Sequence, residues 1–119
     1  MILLLMTGRS SARIARGNLY DPVAPAPEEF VEVLAAGESE TFRIERIVSH
    51  GQVSSDDFWY DQDEWEFVAV LQGDAELETE SEKFKMNPGD WAIIPEHEKH
   101  RVTYTSTEPP CVWLAIFGR

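Results

Sequence analysis

From residue 41 onward, apolar and polar positions trade places every residue or two, which is the period of a strand rather than a helix. Residues 41–48 alternate Phe42, Ile44, Arg46 and Val48 with Arg43, Glu45 and Ile47. Residues 65–71 are apolar and β-branched apart from Glu66. Residues 74–80 alternate acids with smaller or apolar side chains, so one face of that strand meets water. Phe84 and Met86 continue the pattern, 91–95 is another buried run, and 101–105 and 112–117 complete the set. Between the runs lie Gly73-Asp74 and Asn87-Pro88-Gly89-Asp90, the second with proline and then glycine where a type II turn wants them. Short strands so punctuated predict an all-β sandwich or closed barrel.

One stretch departs from this. Residues 27–36 predict a short helix, with Pro27 at the first position, Glu28, Glu29 and Glu32 at the positive end of the dipole, and Gly37 as the cap. Phe30, Val33 and Leu34 make its narrow apolar stripe. Before it, Pro22 and Pro25 mark an extended lead-in. Residues 1–17 stand apart again. The apolar run 1–6 is far too short to span a bilayer, and it lacks the basic start of a signal peptide. The basic piece 7–17 carries no acid, unlike everything after it. We expect residues 1–17 to be a flexible arm or upstream extension, and 18–119 to be one barrel domain.

Composition narrows the partners. The chain of 119 residues carries 22 Asp and Glu against 10 Lys and Arg, a net charge of −12. Phosphate backbones and anionic membranes need a positive field, so neither nucleic acid nor a membrane is expected as partner. The single cysteine, Cys111, permits no intrachain disulfide, which fits a reducing, cytoplasmic setting. Its apolar surroundings in 111–117 predict a buried, inert thiol.

The candidate chemistry lies in two segments. In the first, Glu66 is followed after six residues by Gly73; in the second, Gly89, Pro95 and His100 are spaced through a strand and a turn. Here the chain resembles the cupin superfamily, and the likeness runs from about Phe42 to Phe117. Glu66 and Gly73 match the second half of the first cupin motif; Gly89, Pro95 and His100 match the second motif. The resemblance implies a small single-domain cupin: an all-β double-stranded β-helix, or jelly roll, with its pocket inside the barrel. The departures bear on chemistry. Tyr60 and Gln62 hold the places of the family's two motif histidines, and His97 replaces the usual turn glycine.

Residues two apart on a strand share a face, so Tyr60 and Gln62 should point together, with Glu66 returning to that face. A bulge would bring Trp59 and Asp61 inside instead. Gln62, Glu66 and His100 offer an amide oxygen, a carboxylate and an imidazole, a set that could hold a divalent Zn, Fe or Mn ion. Tyr60 is expected as a pocket hydrogen-bond donor or catalytic acid. The expected ligand is a small polar molecule, and the expected assembly is a homodimer built on exposed strand edges. Two metal-free alternatives stand beside this reading. One is a ligand-binding or sensing module. The other is an acid–base isomerase with His100 as base and Tyr60 as acid. No Gly-rich phosphate loop, paired-cysteine zinc site or serine nucleophile elbow is present.

Overall fold

The computed structural model describes residues 4–5 and 14–119, so most of the segment 1–17 lies outside the described residues. Among the described residues nine strands are seen: β1 Leu4–Leu5, β2 Phe30–Ala36, β3 Phe42–Ser49, β4 Trp65–Gln72, β5 Ala75–Thr79, β6 Lys83–Met86, β7 Trp91–Ile94, β8 His100–Thr105 and β9 Cys111–Gly118. They form a six-stranded sheet in the order β1-β2-β3-β9-β4-β7 and a three-stranded sheet in the order β6-β5-β8. All pairings are antiparallel except that of β1 with β2.

The predicted helix over 27–36 is not formed. Phe30–Ala36 is a strand, and no α-helix occurs among the described residues. Pairing with β3 wins over local helix propensity, which is a small preference that tertiary context routinely overrides. The apolar stripe does not survive in the strand: Phe30 pairs with Val48 and Val33 with Glu45, positions on opposite faces of β3. The register shifts between Val33 and Ala35, so Leu34 is bulged.

The core fills the space between the sheets. Val68, Val70, Ala75, Leu77, Met86, Ile94, Cys111 and Trp113 form one buried cluster drawn from both. β9 is the most apolar strand because it runs between β3 and β4, central in the larger sheet. The passage from β4 to β5 carries the chain from the large sheet to the small one, and it needs Gly73. That residue has φ +73°, and a Cβ there would collide with the Ser106 hydroxyl and lie 2.8 Å from the Pro110 carbonyl oxygen. Gly89, with φ +92°, closes the turn between β6 and β7, where Asp90 N–H donates to the Asn87 carbonyl at 2.9 Å.

The lead-in to β2 crosses the outside of the barrel and is tied down by side chains. Arg46, 5% exposed, donates to the carbonyls of Leu19 (3.2 Å) and Asp21 (2.8 Å) and to Glu32 (3.0 Å). Farther along, the Gln52 amide donates to the Ala26 carbonyl at 2.8 Å. These ties deliver Glu29 to the barrel mouth.

Candidate functional site

The two sheets enclose a cavity of about 250 Å³. Its wall includes Glu66 and Val68 from β4, Ile94 from β7, His100 and Val102 from β8, Leu77 from β5, and Trp113 and Phe117 from β9. The alternation of β3 turns Arg43, Glu45 and Ile47 into the same space. Tyr60 and Gln62 line it from the segment before β4, and Glu29 from the lead-in. The volume sits just below the roughly 300–1,000 Å³ of drug-sized ligand pockets. It suits a small molecule.

Glu66 and His100 face each other across the gap between sheets. His100 Nε2 lies 3.5 Å from Glu66 Oε1, with the two side chains 6% and 12% exposed. The other ring nitrogen is committed: Nδ1–H donates to the Glu98 carbonyl at 2.8 Å, since a carbonyl can only accept. Nε2 therefore confronts the carboxylate. A bare nitrogen lone pair beside a carboxylate is unfavourable, so a positive charge belongs between them. Burial works against a charged imidazole here. The contact with Glu66 and the bond to the Glu98 carbonyl outweigh it, together with the charges of both residues, and the His100 pKa rises above its ordinary value.

Tyr60 is fastened to His100 twice. Their backbones exchange both hydrogen bonds, 2.8 and 3.1 Å, and their rings stack with centroids 5.4 Å apart. Phe58 packs edge-on against Tyr60 at 4.6 Å. Burial, helped by the charges of Glu29 and Glu66, raises the phenol pKa, so Tyr60 stays a protonated donor. Tyr60 and Gln62 both line the cavity, although the strand itself starts only at Trp65. Trp59 and Asp61, the neighbours of Tyr60, are not part of the cavity wall. Asp61 pairs with His97 at 2.8 Å, and Trp59 lies under the Arg101 guanidinium at 4.3 Å. His97 takes the turn with φ +62°, the left-handed conformation that a glycine would adopt most easily.

Three charged residues of the cavity went unremarked in the motif reading: Glu29, Arg43 and Glu45. The Arg43 guanidinium donates to Glu45 at 2.6 Å and Glu64 at 3.1 Å, and lies 4.1 Å over the Phe117 ring. Glu29 is exposed as a residue, but its carboxylate accepts from the buried Ser49 hydroxyl at 3.2 Å. Ser49 Oγ in turn accepts from the Trp113 indole N–H at 3.2 Å. Partial burial raises the Glu29 pKa; the Ser49 bond opposes this, and the charges of Glu45 and Glu66 add to it.

As a metal centre the donor set is thin. Glu66, His100 and Gln62 line one cavity, yet among the described residues no group of three or more His, Cys, Asp or Glu side chains converges to hold an ion. The donor types suit a divalent ion. Bonds of about 2.1 Å to atoms 3.5 Å apart subtend an angle near tetrahedral, on the order of 110°. The fit is to a weakly held, open site.

The comparisons agree with this architecture. The family model for the cupin domain, Cupin_2, matches residues 44–117, more than half of the chain. A crystal structure from Ralstonia eutropha, provisionally assigned as a mannose-6-phosphate isomerase, is 40% identical; the match covers 88% of this chain and 98% of that one, with a TM-score of 0.83. A cupin-superfamily sugar phosphate isomerase from Silicibacter pomeroyi is 26% identical, with a TM-score of 0.53, over 66% of this chain and 51% of that one. An uncharacterised Aquifex aeolicus protein is 47% identical over 49 residues, 41% of this chain and 39% of that relative. No helix among the described residues is long and apolar enough to cross a membrane. Barrel, motif spacing and relatives converge, and the chain belongs to the cupin family.

Proposed function

We propose that this cupin binds a small polar molecule in its barrel and moves a proton on it through the Glu66–His100 pair. One observation carries the reading: with Nδ1 tied to the Glu98 carbonyl, Nε2 must share a positive charge with Glu66 inside the cavity. A proton is the simplest such charge. When neutral, His100 accepts a proton at Nε2, while the stacked Tyr60, held as a phenol, donates from the same wall. The isomerase assignments of the two related structures belong to those proteins. They add to the proposal a reaction type, an isomerisation in which a proton leaves one atom of the ligand and returns to another.

The donor spacing favours a second reading. His100, Glu66 and Gln62 would hold a divalent ion such as Zn, Fe or Mn, which when bound would supply Lewis-acid polarisation of a ligand oxygen. In either reading these residues orient the ligand, and the apolar walls exclude water. The proposal includes a homodimer, supported by Trp91 and Ile93, which stand 62% and 59% exposed on the edge strand β7.

Metal analysis separates the two readings. Untagged protein is assayed by elemental mass spectrometry as purified and after incubation with each ion, alongside His100→Ala and Gln62→Ala. Folded protein that carries no ion and takes none up is the expected result. Stoichiometric metal in the wild type, lost in both variants, would overturn the proton reading and establish the metal one.

A further inference from the structure

The names of the relatives suggest a phosphorylated sugar, but the charges of this cavity do not. Among the described residues Arg43 is the one Arg or Lys side chain along its wall, and it is already held by two carboxylates, Glu45 at 2.6 Å and Glu64 at 3.1 Å. Its flat face is covered by Phe117. The other cationic group, His100, is matched by Glu66. Glu29 remains: its carboxylate is steadied by the Ser49 hydroxyl, and no basic side chain pairs with it among the described residues. Phosphate recognition relies on free guanidinium, ammonium or backbone N–H donors. Here a dianion would instead meet surplus carboxylate inside a chain of net charge −12.

We propose that the cavity selects a small molecule carrying a positive charge, an organic ammonium seated between Glu29 and the aromatic rings of Tyr60 and Trp113, and rejects phosphorylated ligands. This rests on the reading of the barrel as a small-molecule site centred on Glu66 and His100. Three observations support it. Glu29 and Glu66 both reach the space that Tyr60 and Trp113 line, and aromatic rings attract cations through their negative faces. Trp113 is held in place, because its indole N–H is bonded to Ser49, the residue that also holds Glu29. Burial, with smaller additions from the charges of Glu45 and Glu66, disfavours the bare Glu29 carboxylate, and a cation bound beside it offsets the same cost. Glu29 lies outside the matched cupin segment 44–117, so the selection belongs to what the lead-in adds to the barrel.

The test uses three probes on chelator-treated full-length protein: tetramethylammonium, inorganic phosphate and mannose 6-phosphate. Binding is read from the Trp113 indole N–H signal by NMR. Tetramethylammonium should move that signal saturably, while the two phosphates leave it in place. Glu29→Gln should weaken the ammonium by about fivefold, the size of a partly exposed charge interaction. Glu64→Gln, which releases a guanidinium N–H, should let phosphate in. The inference is overturned if either phosphate shifts the signal at lower concentration than the ammonium, or if the ammonium does not shift it. The His100 ring signal, followed in the same samples, separates this failure from a deeper one. A His100 titration that responds to Glu66→Gln leaves the site reading standing while the charge selection falls. A titration indifferent to Glu66→Gln removes the site reading itself.

Discussion

Replacing Glu66 with Gln isolates the interaction that charges His100. The variant keeps length and hydrogen-bonding reach and removes only the negative charge. In the wild type, Nε2 and Oε1 are 3.5 Å apart, on side chains 6% and 12% exposed. At an effective dielectric of about 20, unit charges at that distance attract by about 5 kcal/mol before desolvation is counted. Burial, the largest single influence on His100, opposes much of it, and the net effect is a raised pKa. The net worth should match a charge-assisted hydrogen bond, about 1.5–3 kcal/mol. The sign with pH follows from linkage. The folded pKa exceeds the unfolded value of about 6.5, so the contribution is fully present below that pH and is lost as pH rises through the folded pKa. Beyond that point the gap should reverse, because a neutral Nε2 then faces a carboxylate in the wild type and an amide N–H in the variant. The assay is the His100 Cε1–H titration by NMR, with urea unfolding at about pH 5.5 and about pH 8.5. Glu66→Gln should titrate below the wild type and be less stable only at the acid end. Identical titrations, or a stability gap that widens with pH, would refute the reasoning.

Three further outcomes follow from the packing. Gly73→Ala should cost about 3 kcal/mol or more, adding a collision with Ser106 and Pro110 to the left-handed strain; Gly89→Ala has open space around it and should cost only about 1–2 kcal/mol. Urea midpoints of the two variants measure the difference. Cys111 is fully buried, and burial, with the charges of Asp74 and Glu29, pushes its thiol up to about 12. A thiol reagent at about pH 8 should therefore label native protein at least about a hundredfold more slowly than urea-unfolded protein. Trp91 stacks on Phe67 at 6.0 Å and is 62% exposed, so the proposed homodimer through β7 predicts that Trp91→Glu elutes as a monomer in gel filtration, smaller than the wild type, while the melting temperature stays within a few degrees.

Much of the barrel was legible because its signals are local. Alternation and short apolar runs located the seven strands from β3 to β9, and the glycines of the Gly73 and Gly89 turns each meet a backbone requirement at their own position. The motif spacing likewise brought Tyr60, Gln62, Glu66 and His100 to one cavity. What stayed hidden depends on contacts between distant segments. Composition does not mark the face of β3 carrying Arg43, Glu45 and Ile47 as a cavity wall, since the opposite face holds Phe42, Ile44 and Val48 beside Arg46. The lead-in is tied to Arg46 on that opposite face, and Arg43, Glu45 and Ile47 are left to the cavity. Glu29 fails for the same reason at longer range. Its neighbours 27–36 carry helix signals, and only the pairing of Phe30–Ala36 with β3 makes the segment a strand that ends at the barrel mouth. A carboxylate in the first turn of a helix would be solvated; the same carboxylate ahead of this strand meets Ser49 and faces the cavity. The charge of the proposed binding site thus depends on a tertiary decision about β2 as well as on the motif residues, and two barrels sharing the Glu66–His100 pair can differ in the charge of the ligand they accept.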